Sequence, residues 1–307
     1  LGLSAAAVGL LLAGGAVADD RPSLRVAVNT LPRTLDPGEE WGQNEVRVYY
    51  SIFDTLIRRD FAHPLPDGGA RLVPGLAESW SWIDPTTLEL KLRQGVTCHD
   101  GNPFNAEDVL TTFSPERLWG PDSYHFVGQE NFRTFKNVEK VDDYTVRITT
   151  SAPDVVLEHR LSGSMSFIIC DEAWNAFRKP DVDHKVWMEE AAKALRWNPV
   201  GTGPYKFAGY ERNSFVKLVA FDEYYEGKPA AADITFSSVP EVATRVAGLV
   251  AGDFDIVVEI PPDQWDQLAA LDDIVVKTKG LENCQVIILN MSDPVLADKK
   301  LRHALSL

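Results

Sequence analysis

A small set of residues has the types and spacing to do chemistry. Asp253 and Asp255 stand two apart, which puts two carboxylates on one side of a strand and would suit acid–base work if a pocket held them. Glu158 and His159 form an isolated pair in a polar stretch. His99 lies between a strand pattern and an Asp100-Gly101 turn, where capping or solvation suits it better than metal ligation. Cys98, Cys170 and Cys284 allow one disulfide in an oxidising compartment, but Cys98 alternates with apolar residues and reads as a small buried side chain. Gly201-Thr202-Gly203 opens like a dinucleotide loop. Lys206 stands where the third glycine belongs, and a strand pattern follows instead of a helix, so nucleotide binding is excluded. The sequence contains no H-E-x-x-H, C-x-x-C, G-x-S-x-G or P-loop motif. Neither catalysis nor a metal or organic cofactor is expected, which leaves non-covalent binding. For that, Trp41-Gly42-Gln43 supplies a flat apolar surface, room for close backbone approach, and an amide that both donates and accepts.

The elements that must position these residues are marked by period and punctuation. Leu88, Leu90 and Leu92 alternate with Glu89, Lys91 and Arg93, the pattern of a strand with one buried face. Gln94-Gly95 reads as a turn after which Val96 and Cys98 resume the alternation, predicting a hairpin over 88–98. Asn105 is an N-cap, with Asp108 three residues on, for a helix through Val109 and Leu110. Upstream, 24–28 is a short strand, Thr34-Leu35-Asp36-Pro37 a turn, and 45–57 a helix carrying Val46, Tyr49, Tyr50, Phe53 and Leu56 on one face. Arg58-Arg59-Asp60 closes that helix. A second hairpin occupies 131–150 around Asp142-Asp143, and one or two amphipathic helices fill 171–197 around Pro180. Strands follow at 205–210, 215–221 and 233–236. Next come a helix at 240–251 ended by Gly252, an apolar strand at 285–290 and the start of a helix at 301.

The chain has 307 residues, enough for about two domains. Its 45% hydrophobic and 24% charged content is that of a globular protein, and a net charge of −15 without a basic run argues against nucleic acid or anionic membrane surfaces as partners. Residues 3–17 are small or apolar without a charge and end in Ala16-Val17-Ala18. That is the remnant of a secretory signal, 1–18, too short to span a bilayer; cleavage after Ala18 predicts a periplasmic protein. Gly15 stands where a lipidated cysteine would be required.

Several motifs together resemble the family 5 extracellular solute-binding proteins, the dipeptide, oligopeptide and nickel receptors of ABC importers. The match runs through Pro74-Gly-Leu-Ala-Glu-Ser-Trp80, His99-Asp-Gly101 and Pro103-Phe-Asn-Ala-Glu-Asp-Val109. It continues in Asn198 to Tyr205 (N-P-V-G-T-G-P-Y), in Tyr225 to Pro229 (Y-E-G-K-P), and in Gly252 to Ile256 (G-D-F-D-I). Cys98, where the family more often has an aromatic, and Asn105, where it more often has Thr, are mild departures.

The resemblance implies an α/β fold, two-lobed and periplasmic-binding-protein-like (type II, the large peptide-binding class), with an extra subdomain in lobe one. Lobe one would be 19–236, with the inserted subdomain at about 46–195. Lobe two would start at 237 and be truncated, so that the chain is a fragment lacking most of it. The loop carrying Trp41, Gly42 and Gln43 would form one wall of the ligand cleft, Trp41 otherwise capping the following helix. Tyr124 is a side-approach candidate or a surface tyrosine, and Gln285 a candidate on its strand. The function implied is a monomeric periplasmic receptor that closes on a short peptide and delivers it to inner-membrane ABC permease subunits. Nickel chelates, opines or sugars stay open as ligands, as does a receptor that signals occupancy without import.

Overall fold

The computed structural model describes residues 19–63, 65–66, 69–278 and 288–305. It divides into a first unit ending at Gln264 and a second beginning at Trp265. The signal remnant, Cys284 and Gln285 lie outside the described residues.

The first unit opens on strand β1 (Ser23–Val28), exposed at its start and buried at Val26-Ala27-Val28. A long loop leads to helix α1 (Gln43–Ile52). The expected helix ran to 57; instead Phe53 is extended (φ −125°), and the chain enters β2 (Ile57–Asp60), antiparallel to β3 (Arg71–Pro74). Phe53 and Leu56 are buried as their pattern requires. Apolar positions spaced by three fit a helical face, yet a helix end followed by a strand entry buries them equally well.

β4 (Ala77–Asp84) and β5 (Thr87–Leu92) form a hairpin around Pro85-Thr86. The expected hairpin thus lies one strand earlier. Leu88, Leu90 and Leu92 do point into the core, but Val96 and Cys98 belong to a loop stitched by a single bridge between Thr97 and Pro103. β4 escapes the alternation test because its residues are mostly exposed.

Helix α2 (Ala106–Thr112) begins with the anticipated capping box. The Asn105 side chain accepts from the N–H of Glu107, and Asp108 accepts from the N–H of Asn105, both at 2.8 Å. A π-helical turn (Pro115–Trp119) and α3 (Phe126–Asn131) precede the hairpin of β6 (Phe135–Asp142) and β7 (Thr145–Thr150), which turns at Asp143-Tyr144, one residue later than the expected Asp142-Asp143. β7 also pairs with β5, completing a four-stranded antiparallel sheet in the order β4-β5-β7-β6. Helices α4 (Leu157–Leu161), α5 (Asp171–Asn175) and α6 (His184–Leu195) follow.

The chain then returns to the sheet of β1 through β8 (Tyr205–Glu211), β9 (Phe215–Ala220) and β10 (Asp233–Ser238). Helix α7 (Val242–Ala251) stops at Gly252, whose φ of 78° is the left-handed conformation that favours glycine, and β11 (Ile256–Val257) follows. The order is β11-β1-β10-β9-β8, with β1 parallel to both neighbours.

Among the described residues the first unit holds two apolar clusters. One gathers Leu88, Leu90, Phe104, Phe113, Phe132, Val146 and Ile148 against the four-stranded sheet; the other draws Val28, Tyr49, Ile52, Phe167, Trp174, Val216 and Leu218 from the main sheet and its helices. Each such side chain stabilises the fold by about 1.5–3 kcal/mol. Cys98 and Cys170 are joined in a disulfide with Cα atoms 6.3 Å apart, which corrects the reading of Cys98 as a lone buried side chain. The alternation around Cys98 reports burial and cannot report that the start of α5 brings Cys170 against it. The second unit, by itself, contains α8 (Trp265–Ala269) and α9 (Lys299–Leu305). No helix among the described residues is long and apolar enough to cross a membrane.

Candidate functional site

Helix α7 carries the chain from β10 past β1 to β11 on its other side, so β1 lies between two parallel strands. In open α/β sheets the crevice outside the carboxyl ends of such strands is where ligands bind. The loop 29–42 leaves β1 at that edge and carries Trp41.

That loop is nailed down at Asp36. The Asp36 Oδ1 accepts from the N–H of Gly38 at 2.9 Å and from the Arg117 guanidinium at 3.1 Å, and the His125 ring lies 3.3 Å from Oδ2. The Tyr49 hydroxyl sits within 3.2 Å of the carbonyls of Thr34 and Asp36, and Arg117 stacks over Trp174 at 5.0 Å. Burial works against the charged form of Asp36, but His125, Arg117 and the Gly38 N–H outweigh it and hold the carboxyl well below the usual carboxylate range. Gly38 has to be glycine, because a Cβ there would come within 2.6–2.9 Å of His125 and Arg117. Tyr124 belongs to this anchor: half-buried, it packs edge-on to His125 with ring centres 4.8 Å apart. Burial, followed by Glu39 and Asp36, raises its phenol pKa.

Beyond the anchor, Trp41 is 57% exposed and forms one side of a cavity of about 440 Å³. Val127, Val156 and Met165 give it apolar walls; Arg59, Glu130 and Ser164 give it polar ones. Gly42 is the extended N-cap of α1 and Gln43 its first residue, next to Trp41 but not part of the cavity lining, and Tyr124 is likewise outside the lining. Arg59, Val127, Ser164 and Met165 carry no local signal that would have singled them out. Arg59 in particular reads as a helix terminator until the helix is seen to stop at Ile52.

The two motif stretches 99–101 and 198–205 dock on one another. The His99 ring donates from Nε2 to the Gly203 carbonyl at 2.9 Å and accepts at Nδ1 from the Gly201 N–H at 3.4 Å, while the backbone N–H of His99 donates to Gly201 O at 2.9 Å. Both ring nitrogens are used as in neutral imidazole. Burial, partly opposed by the Gly203 hydrogen bond, lowers its pKa to about 4. His99 is thus neither a cap nor a solvated side chain but a structural clamp. The sulfurs that could join Asp108 in holding a metal are spent on the disulfide, and neither Asp253 nor Asp255 lines the Trp41 cavity. Asp255 instead pairs with Arg25 at 2.9 Å.

A parallel-centred α/β sheet with an anchored loop at its carboxyl edge and a solute-sized cavity beside that loop is the arrangement of a ligand-binding protein. The family model of the bacterial extracellular solute-binding proteins, family 5 (middle), matches residues 71–307, and the chain belongs to that family. It is 28% identical over 292 residues to the dipeptide-binding protein of Escherichia coli K12, covering 90% of this chain and 51% of that one. Heme-binding protein A of Haemophilus influenzae is 32% identical over 261 residues, covering 78% and 45%. Among solved structures, MoaA of A. tumefaciens R10 in complex with mannopinic acid superposes with a TM-score of 0.78 at 25% identity, over 93% of this chain and 55% of that one. NikZ of Campylobacter jejuni in complex with Ni(L-His), at TM-score 0.70 and 22% identity over 92% and 52%, shares the fold. These relatives are binding proteins, not enzymes, and the chain spans about half the length of the curated relatives it matches.

Proposed function

We propose that this chain belongs to the periplasmic receptor of an ABC importer that captures a short peptide and hands it to inner-membrane permease subunits. The observation that carries this reading is the Trp41 cavity, set beside a rigidly anchored loop at the carboxyl edge of the sheet. Its volume suits a small solute, and relatives of the chain are named for dipeptides and glutathione. In this reading residues 1–18 are the export signal, 19–236 form lobe one with 46–195 inserted, and lobe two starts at 237. Closure of two lobes on the solute is driven only by contacts that the open state lacks; shifting the balance from 1:99 to 99:1 takes about 5.5 kcal/mol of differential affinity. The test is thermal denaturation of the full-length protein against a dipeptide library. Stabilisation by particular dipeptides, reduced in Trp41→Ala, is the expected result. Absence of any peptide-dependent shift overturns the peptide assignment, and an undiminished shift in Trp41→Ala removes Trp41 from the site.

A further inference from the structure

The cavity beside Trp41 has an asymmetry of charge that says what its occupant carries. Strand β2 alternates, so Arg58 and Arg59 point to opposite sides. Arg58 goes to Glu226, at 2.7 Å, and Arg59 lines the cavity. Arg59 is held in place by neutral groups alone: its Nε donates to Ser162 Oγ at 3.1 Å and one terminal nitrogen donates to the His159 carbonyl at 3.4 Å. Among the described residues no carboxylate lies within 4.0 Å of it. The neighbouring cation in the lining, Arg160, is by contrast neutralised by Asp154 at 2.5 Å. Arg59 is therefore a pre-positioned guanidinium with an edge left over, in a chain that carries 45 acidic residues against 30 basic ones. Glu130, the acidic member of the lining, has no ion pair among the described residues and disfavours a second negative charge in the cavity. Of the rest of the wall, Trp41, Val127, Val156 and Met165 are apolar, while Asn131, His159 and Ser164 are polar.

From these placements we propose that Arg59 is the carboxylate-recognition residue of this site, and that the site takes a solute with one carboxylate and an apolar body, its carboxylate on the guanidinium fork and its apolar side against Trp41 and Met165. A planar fork matches a carboxylate through two parallel N–H···O bonds, which a lysine cannot reproduce. The inference rests on the cavity being the ligand site, as in the proposed function, but not on the ligand being a peptide.

The experiment is calorimetric titration of the full-length protein, wild type, Arg59→Gln and Arg59→Lys, with matched acid and amide forms of three probes: the dipeptide Ala-Phe, N-acetyl-phenylalanine and 3-phenylpropionate. Wild type is expected to prefer an acid over its amide by at least tenfold in one or more pairs. Arg59→Gln should abolish that preference by weakening the acid far more than the amide, and Arg59→Lys should retain part of it. Amide binding in the same variant reports that the cavity is still formed. Preference confined to the non-peptide pairs and lost in Arg59→Gln supports the Arg59 assignment while refuting the peptide reading. No acid preference in any pair, or a preference that survives Arg59→Gln, overturns the assignment.

Discussion

His99 Nε2 and the carbonyl oxygen of Gly203 lie 2.9 Å apart although 104 residues separate them in the chain. With the reciprocal bond from the Gly201 N–H, this contact ties the loop after the β4–β5 hairpin to the strand entry at β8. The glycines are required for a different reason: Gly203 donates its N–H to Ile52 O at 2.9 Å, and a Cβ on Gly201 or Gly203 would collide with the backbone of Ile52 at the end of α1. Two motifs distant in sequence are one structural joint.

Breaking that joint should be measurable in two ways. His99→Ala leaves a buried carbonyl unpaired and is expected to cost about 1–3 kcal/mol in denaturant unfolding at neutral pH. The ring is neutral in the fold down to about pH 4 but titrates near 6.5 when unfolded, so acidification from 6.5 to 4 removes stability progressively, to an extent of about 3 kcal/mol. His99→Gln lacks that component. Its stability should fall less steeply over the same range, and an equally steep fall would exclude His99 as the source.

Asp54 predicts the opposite slope. Burial pushes its carboxyl to about 7 against Arg58, while the Tyr224 hydroxyl and Thr202 hydroxyl donate to it at 3.2 and 3.3 Å. A carboxyl that holds its proton more tightly when folded contributes stability that is fully present below its unfolded pKa and is lost as pH rises towards 7. Asp54→Asn should therefore gain on wild type by about 2 kcal/mol between pH 5 and pH 7. Paired urea titrations at the two pH values cancel the contributions of other groups, and a pH-independent difference would rule the effect out.

The disulfide between Cys98 and Cys170 closes a loop of 72 residues. Its loss in the double variant Cys98→Ser/Cys170→Ser should lower stability by about 4 kcal/mol on the chain-entropy model. Adding a reductant to wild type should bring it to the same midpoint. A reduced wild type as stable as the oxidised protein would show that the bridge does not constrain the unfolded chain.

Asp36 and Arg117 form the anchor under the Trp41 loop, both nearly inaccessible to solvent. Arg117→Ala leaves a buried carboxylate without its partner and is expected to cost about 3–5 kcal/mol. The double variant Asp36→Asn/Arg117→Met should cost less than the sum of its single changes, because the two charges leave together. Strict additivity in thermal or urea unfolding would mean that the pair is not coupled.

Features decided within a few residues are legible in the amino-acid sequence by itself. The capping box at Asn105 and Asp108, the left-handed Gly252 and the inward leucines of β5 all depend on near neighbours and on a side-chain period, and all stand where the sequence places them; the turn expected at Asp142-Asp143 falls one residue later. The family, too, is readable, because its motifs are contiguous runs of such residues. What period and punctuation do not supply is the identity of the distant partner. A buried position looks the same whether its neighbour is a leucine or the other half of a disulfide, so Cys98 gives no sign of Cys170. Asp36 gives no sign of Arg117, 81 residues away, and Arg59 looks like the end of a helix until β2 turns it into the cavity. Periodicity reports how deeply a residue is buried, which is a local property; which group it meets there depends on how remote segments pack, and only the tertiary structure decides that.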